Sequence, residues 1–376
     1  MSNPSFRMVL EGVPRVGFYQ GGPRCPEDIP FPSVMSALMK YFKEEDFGCR
    51  WEESNKPGCT INCSYSYFIG VSGVAAFLSW KRGWEYDNAD IRFMSGDPRE
   101  PLDRALQATG FTYELVCTEE GRDNKMLFRE KILESIQKGH PVLAFGPVGP
   151  PEAGIITGFD EGGDVLIGWS YFQTFPEFSA GLEFEPSGEF RKRHWFEDSP
   201  GLSFILIGEK KERPPLREIY RGALEWLLQV THTPLSVGGR NNGLAAYTAW
   251  ARQLLCNDDF PQDETIVRQR HDVHNTAVSM VAEARWYGSQ FLIQASNPEI
   301  LNSRVSSDLL HASACYAAEH QLMWDLWNLT GGNGNPDAFR YFADPAIRRR
   351  MVPIIHEARE KDARAVEHIE RALGRL

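Results

Sequence analysis

Long apolar runs are missing from this chain. None approaches the roughly 18 residues that a membrane-crossing helix needs, so no membrane partner is expected. The opening residues, Met1-Ser-Asn-Pro-Ser-Phe-Arg-Met-Val-Leu10, lack a basic stretch followed by an apolar core, so no signal peptide is expected. Positive charge is in deficit: 40 Lys+Arg stand against 51 Asp+Glu, a net charge of −11, and a protein built to grip phosphate backbones is normally basic. Nucleic acid is therefore not an expected partner. Self-similarity and low-complexity tracts are absent, which excludes solenoid and repeat architectures. No G-x-x-x-x-G-K-[ST] loop is present, so nucleotide hydrolysis has no support. Cysteine is sparse and odd in number, with seven spread between Cys25 and Cys315, which reads as a reduced cytoplasmic protein and not as a disulfide framework.

What is present is ordinary globular composition, 42% hydrophobic and 24% charged, which excludes a mainly disordered chain. At 376 residues the length implies two domains. The charge divides unevenly. Residues 211–376 hold 19 Lys+Arg against 20 Asp+Glu, which leaves 21 against 31 in residues 1–210. Almost all the acid excess lies in the first part, which favours neutral or cationic ligands on encounter. Aromatics at 12% supply anchors for a core or a ligand pocket.

The spacing of Val34, Ala37, Leu38 and Tyr41 predicts a helix over 33–45, with Ser33 as its N-cap. Residues 49–64, rich in Cys, Gly, Asn and Ser, read as a loop. Further helices are expected over 65–80, 99–108 and 124–138. The period then shortens, and 141–145, 154–159, 164–169 and 202–208 read as strands, with Asp160-Glu-Gly-Gly163 as a hairpin turn. The Pro-containing segment 209–215 marks a linker. Beyond it, helices are expected over 216–230, 242–256, 263–295, 299–328 and 346–374. The fold class is thus α+β over 1–210, helices first and then an antiparallel sheet, followed by an all-α helical bundle over 211–376.

Lys138-Gly-His-Pro-Val-Leu-Ala144 followed by Ala153-Gly-Ile-Ile-Thr-Gly-Phe-Asp160 resembles the strand pair of papain-like folds. The resemblance is to the double-glycine peptidase and butirosin biosynthesis protein H N-terminal groups, and it spans residues 15–210. It implies a catalytic cysteine at the start of a Cys-x-x-x-Ala-Leu helix and a histidine six residues before the strand's second glycine. This chain has Ser33 before Ala37-Leu38, and Glu152 six residues before Gly158. The next strand ends Ile167-Gly-Trp-Ser170, where the resemblance implies an orienting Asn or Asp. No Cys lies in 26–48 and no His in 141–193. The resemblance therefore carries the fold and removes the usual cysteine–histidine chemistry.

Ser33 with Glu152 as its base is one substitute, since a carboxylate acts as a base when burial raises its pKa. Cys63, at the start of a helix, is another candidate nucleophile. His140 and His194 are the histidines before residue 211. Cys49, Cys59 and Cys63 form a C-x9-C-x3-C cluster without the paired short spacings that zinc favours. In the helical part, His271 and His274 lie one turn apart, and His311, Cys315 and Glu319 follow an i, i+4, i+8 stripe that two facing helices would need to hold a metal. Trp169 and the helix start at Asn241-Asn242-Gly243 are candidates for ligand binding.

Three functions follow as expectations. The first is a degenerate papain-like protein binding a small molecule or peptide in an interdomain cleft. The second, implied by the butirosin-like resemblance, is an acyltransferase or amide hydrolase acting on a specialised metabolite. The third is a metal-dependent enzyme using the bundle. No cofactor is expected, and association into a homo-oligomer stays open.

Overall fold

A computed structural model of the chain describes residues 6–19, 26–44, 46–47, 62–117, 124–197 and 202–376. The helices in chain order are α1 Pro30–Phe42, α2 Cys63–Val71, α3 Glu100–Gln107, α4 Lys125–Gln137, α5 Leu216–His232, α6 Leu244–Leu254, α7 Glu264–Ala295, α8 Ser303–Thr330, α9 Ala338–Ala343 and α10 Pro345–Leu373. The chain is mixed helix and antiparallel sheet, with a helical C-terminal region.

It divides into two compact units. One takes the chain up to Asp46, the described residues of Ser54–Tyr65, and Leu106–Arg213. The other takes Ser66–Ala105 together with Pro214–Leu376. The division after Arg213 falls within the Pro-containing segment 209–215, and 66–105 belongs with the helices. The cause is packing between distant segments. Leu78, Trp80 and Trp84 enter a core with Tyr247, Trp250, Val278, Phe342 and Ile355, and Ser79–Trp80 pairs antiparallel with Arg240–Asn242.

The first unit is built on a sheet in the order Phe111–Cys117, Ser203–Lys210, Val142–Phe145, Ala153–Asp160, Val165–Trp169, Phe190–Arg193 and Glu183–Phe184, all antiparallel. Met8–Val9 adds to Ala153–Asp160. That central strand is buried along nearly its whole length, because both faces are covered. α1 packs on it, and Phe128 and Ile132 of α4 join Val142, Ile156, Phe159 and Phe204 in one core. Gly158 is required where the N-terminal strand crosses: a Cβ there would stand 2.5 Å from the Met8 carbonyl oxygen. The Phe111–Cys117 strand has no counterpart in the sequence reading. It sits at the sheet edge with one buried residue, so its apolar alternation is faint.

α1 starts earlier than its apolar spacing suggests. Pro30 occupies N1, where a missing N–H costs nothing, and Ile29 is the N-cap. Ser33 is thus a buried residue within the helix and not its cap. α2 stops at Val71, short of the expected residue 80. Gly73 takes φ +90°, and a Cβ there would stand 2.3 Å from Trp226 Nε1, so the chain turns into a 3-10 segment, Val74–Ala76.

In the second unit, α7 and α10 both pack along α8, and α10 also packs on α5 and α6. Each long helix opens on a side-chain cap. Asp263 accepts from Thr265 and Ile266 N–H, Asn302 from Arg304, and Asp344 from Ala346, each cap contributing about 1 kcal/mol. Among the described residues, no helix is long and apolar enough to cross a membrane.

Candidate functional site

The residues expected to carry acyl chemistry lie on α1, at the start of α2, on the turn into the central strand and beside the flanking strands. Ser33 is buried in the second half of α1's first turn. His140 packs edge-on against Phe42 at the other end of that helix, ring centroids 5.5 Å apart, and its Nδ1 bonds the Ile207 carbonyl at 2.8 Å. Nine residues of α-helix separate Ser33 from Phe42, about 13 Å along the axis, which puts His140 out of reach. His194 is exposed just past the Phe190–Arg193 strand, at φ +49°. Glu152 is half-buried in the tight turn into the central strand, where its N–H donates to the Pro150 carbonyl and its carbonyl accepts from Gly146. Cys63 is in a disulfide, so its sulfur is not the thiolate a nucleophile requires. That bond also departs from the fully reduced state expected of the cysteines. Cys25, Cys49 and Cys59 lie outside the described residues.

What the first unit brings together is a polar cluster at the N-terminal half of α1. Glu27 and Asp28 immediately precede the helix, Ser36 lies on it, and Asn62 precedes α2. Asn62 Nδ2 donates to Glu27 Oε2 at 3.0 Å and to Ser36 Oγ at 3.2 Å, while its Oδ1 accepts from Tyr65 N–H at 3.2 Å. The Tyr65 hydroxyl oxygen accepts from Ile29 N–H. These bonds fix the entries of α1 and α2 together. Burial pushes the Glu27 carboxyl above the usual range, against the pull of Asn62 and of Lys40; Asp28 raises it further. Burial raises Asp28 as well, opposed by the Tyr19 N–H that donates to it at 2.6 Å.

An aromatic group adjoins the carboxylates. Tyr171 donates its hydroxyl proton to the Glu27 carbonyl at 2.8 Å. Phe18 lies edge-on to Tyr171, Phe172 and Phe175 at 5.0, 5.6 and 5.6 Å. Phe175, Phe178 and Tyr19 keep 37%, 38% and 67% of their surface exposed. Trp169, the aromatic singled out in the sequence, is buried instead, with Arg15 5.5 Å over its ring. Its indole N–H has no partner among the described residues.

Glu27, Asn62 and Tyr171 were not legible as site residues. The available signal was weak: an acidic pair directly before an Ile-Pro helix start, and an Asn directly before the helix that Cys63 opens.

In the helical unit the expected ligand and metal residues are engaged separately. Asn241 and Asn242 form strand and not a helix cap. Asn241 Nδ2 donates to the Trp80 carbonyl, and Asn242 Nδ2 donates to the carbonyls of Met94, Val230 and Thr233. The helix start has Gly243 at the cap position, so no asparagine is free there to hold an anion. His271 and His274 pack around Phe342. His274 Nδ1 accepts from Trp250 at 3.1 Å, and burial pushes its pKa down to about 3, so it stays neutral. His311 stacks on His368. Among the described residues, no group of His, Cys, Asp and Glu is placed to hold a metal.

Glu319 belongs to a fully enclosed ionic cluster. Arg285 Nε donates to Glu319 Oε2 at 3.0 Å, and Nη2 donates to Asp362 Oδ2 and to the Tyr247 hydroxyl, each at 2.9 Å. Nη1 donates to the Ala75 carbonyl at 2.7 Å. Tyr247 in turn donates to Glu319 Oε1. All three charged side chains are 0% exposed. No known family model and no curated protein matches the chain.

Proposed function

We propose that the N-terminal unit is a degenerate papain-like domain that binds a small molecule or peptide through a protonated amine, without cysteine–histidine chemistry. The observation that carries this reading is the Glu27–Asn62–Ser36 cluster beside half-buried Phe18 and the exposed rings of Tyr19 and Phe175. A carboxylate that is partly withdrawn from water, bonded by a neutral amide, gains when a cation approaches it. Aromatic faces next to it attract the same cation through their quadrupole. The acid excess of residues 1–210 draws such a ligand in.

The helix-then-sheet order and Ser33 in α1 support the papain-like part of the reading. On this reading the ancestral helix start is kept as a binding wall, and the chemistry that once used it is gone.

The direct test is a thermal-shift and calorimetric screen of amines, amino-acid amides and amine-bearing peptides, with matched carboxylates as controls. Binding of amines that weakens in the Glu27→Gln protein supports the reading. Binding that is indifferent to that substitution sinks it. Labelling of Ser33 by a serine-directed fluorophosphonate probe would instead favour the acyl-transfer alternative.

A further inference from the structure

The helical unit holds two carboxylates and one guanidinium where water does not reach, and the charges do not cancel if both acids are ionised. We propose that the folded protein keeps one proton on the Glu319–Asp362 pair, held on Oδ1 of Asp362, as a pH-sensitive fastening of the helical unit.

The hydrogen bonds place that proton. Both oxygens of Glu319 are acceptors already, Oε2 from Arg285 and Oε1 from Tyr247, so protonating either would cost an existing bond. Asp362 accepts from Arg285 only at Oδ2. Among the described residues its Oδ1 is buried with no hydrogen-bond partner. A carboxyl proton on Oδ1 is accommodated without displacing an existing hydrogen bond.

Among the described residues, Arg285 is the cation that acts on both carboxyls. Burial holds the hydroxyls of Tyr247 and Tyr316 well above their usual range, so both stay protonated. Cys315, one turn before Glu319, is likewise pushed up by burial and remains a neutral thiol, with Lys361 and Arg364 of α10 opposing that rise. Lys361 itself faces Glu357 at 3.6 Å. Burial raises both carboxyls, and Arg285 opposes the rise in each. A group whose folded pKa is raised binds more protons folded than unfolded. The stability it contributes is present at low pH and is lost as pH rises through the folded value. The fastening has a mechanical side, because the same guanidinium holds the Ala75 carbonyl and so ties the Val74–Ala76 turn to α7, α8 and α10.

The experiment compares thermal unfolding of the wild type, Asp362→Asn and Glu319→Gln between about pH 6 and about pH 10. D362N puts a neutral donor where the protonated acid stands. It is expected to keep the melting temperature of the wild type at neutral pH and to lose part of its alkaline decline. E319Q sets an amide against two donors and is expected to melt lower at every pH. If D362N declines with pH as the wild type does, or E319Q is the variant that flattens the curve, the assignment to Asp362 fails. Proton release on unfolding, measured calorimetrically in two buffers of different ionisation enthalpy, is the second readout. About one proton released near neutral pH is expected, and none released overturns the proposal even if both variants fail to fold.

Discussion

Glu27 in the sheet unit and Glu319 in the helical unit are both carboxylates withdrawn from water, and the chain provides for them in opposite ways. Glu319 has a resident cation, a tyrosine donor and no exposure. Glu27 has a neutral amide donor and a partly open aromatic neighbourhood. Burial is the main cause that raises the pKa of both, and a neighbouring carboxylate adds to it in each, Asp28 at Glu27 and Asp362 at Glu319. What differs is whether the counter-charge is built in. A carboxylate hydrogen-bonded to its cation fastens the fold, whereas one that feels Lys40 only through space and bonds a neutral amide has binding energy left for a ligand.

The comparison breaks most decisively at Arg285. Arg285→Met leaves two enclosed carboxylates without their cation and is expected to cost about 3–5 kcal/mol of stability. Denaturant unfolding measures this, and a loss below about 1 kcal/mol would mean that water reaches the cluster. Glu27→Gln is expected to do the reverse. It leaves stability within about 1 kcal/mol of the wild type and weakens amine binding roughly tenfold or more, the magnitude of a lost charged hydrogen bond, as read by titration calorimetry.

Titration in pH sharpens the contrast further. Amine affinity needs ionised Glu27, so it falls as pH falls, and the fall begins above the usual glutamate range because burial raises that carboxyl. Stability of the helical unit moves the other way and declines as pH rises from the ordinary carboxylate range through the raised folded value. The smallest effect is expected from Phe175→Ala, which removes one exposed ring and should reduce amine affinity by roughly two- to fivefold, consistent with about 0.5–1 kcal/mol for an exposed cation–π contact. Unchanged affinity there would move the site away from the aromatic face.

The long helices were legible because their apolar period runs over many turns: the expected 263–295 became Glu264–Ala295, and 346–374 became Pro345–Leu373. The central strands were legible for a similar reason, their β-rich runs being bounded by Gly and Asp turns. The second face of the division was not. Nothing in Leu78 or Trp80 states that their neighbours are Trp250 and Val278, since contacts between distant segments leave no local period. Ser33 was legible as a departure from a family pattern but not as a site, because reach between side chains depends on where helix ends fall. The pairing of Arg285 with Asp362 spans 77 residues, and only the fold makes neighbours of them. Glu319 was singled out as a ligand on a helical stripe. The stripe was real, and the partner it faces is a guanidinium.

The membership of Ser66–Ala105 in the helical unit sets an order of events during synthesis. Trp80 leaves the ribosome about 280 residues before Asp362, the carboxylate that anchors Arg285 over the Ala75 carbonyl. At the usual pace of translation, that nascent segment waits roughly 15–60 s with its tryptophans uncovered. The sheet unit is interrupted by the same segment, so it is completed around a stretch of chain still without its core. A chain cut near residue 210 would end in that waiting state, and it is expected to need chaperones or to aggregate rather than behave as an independent domain.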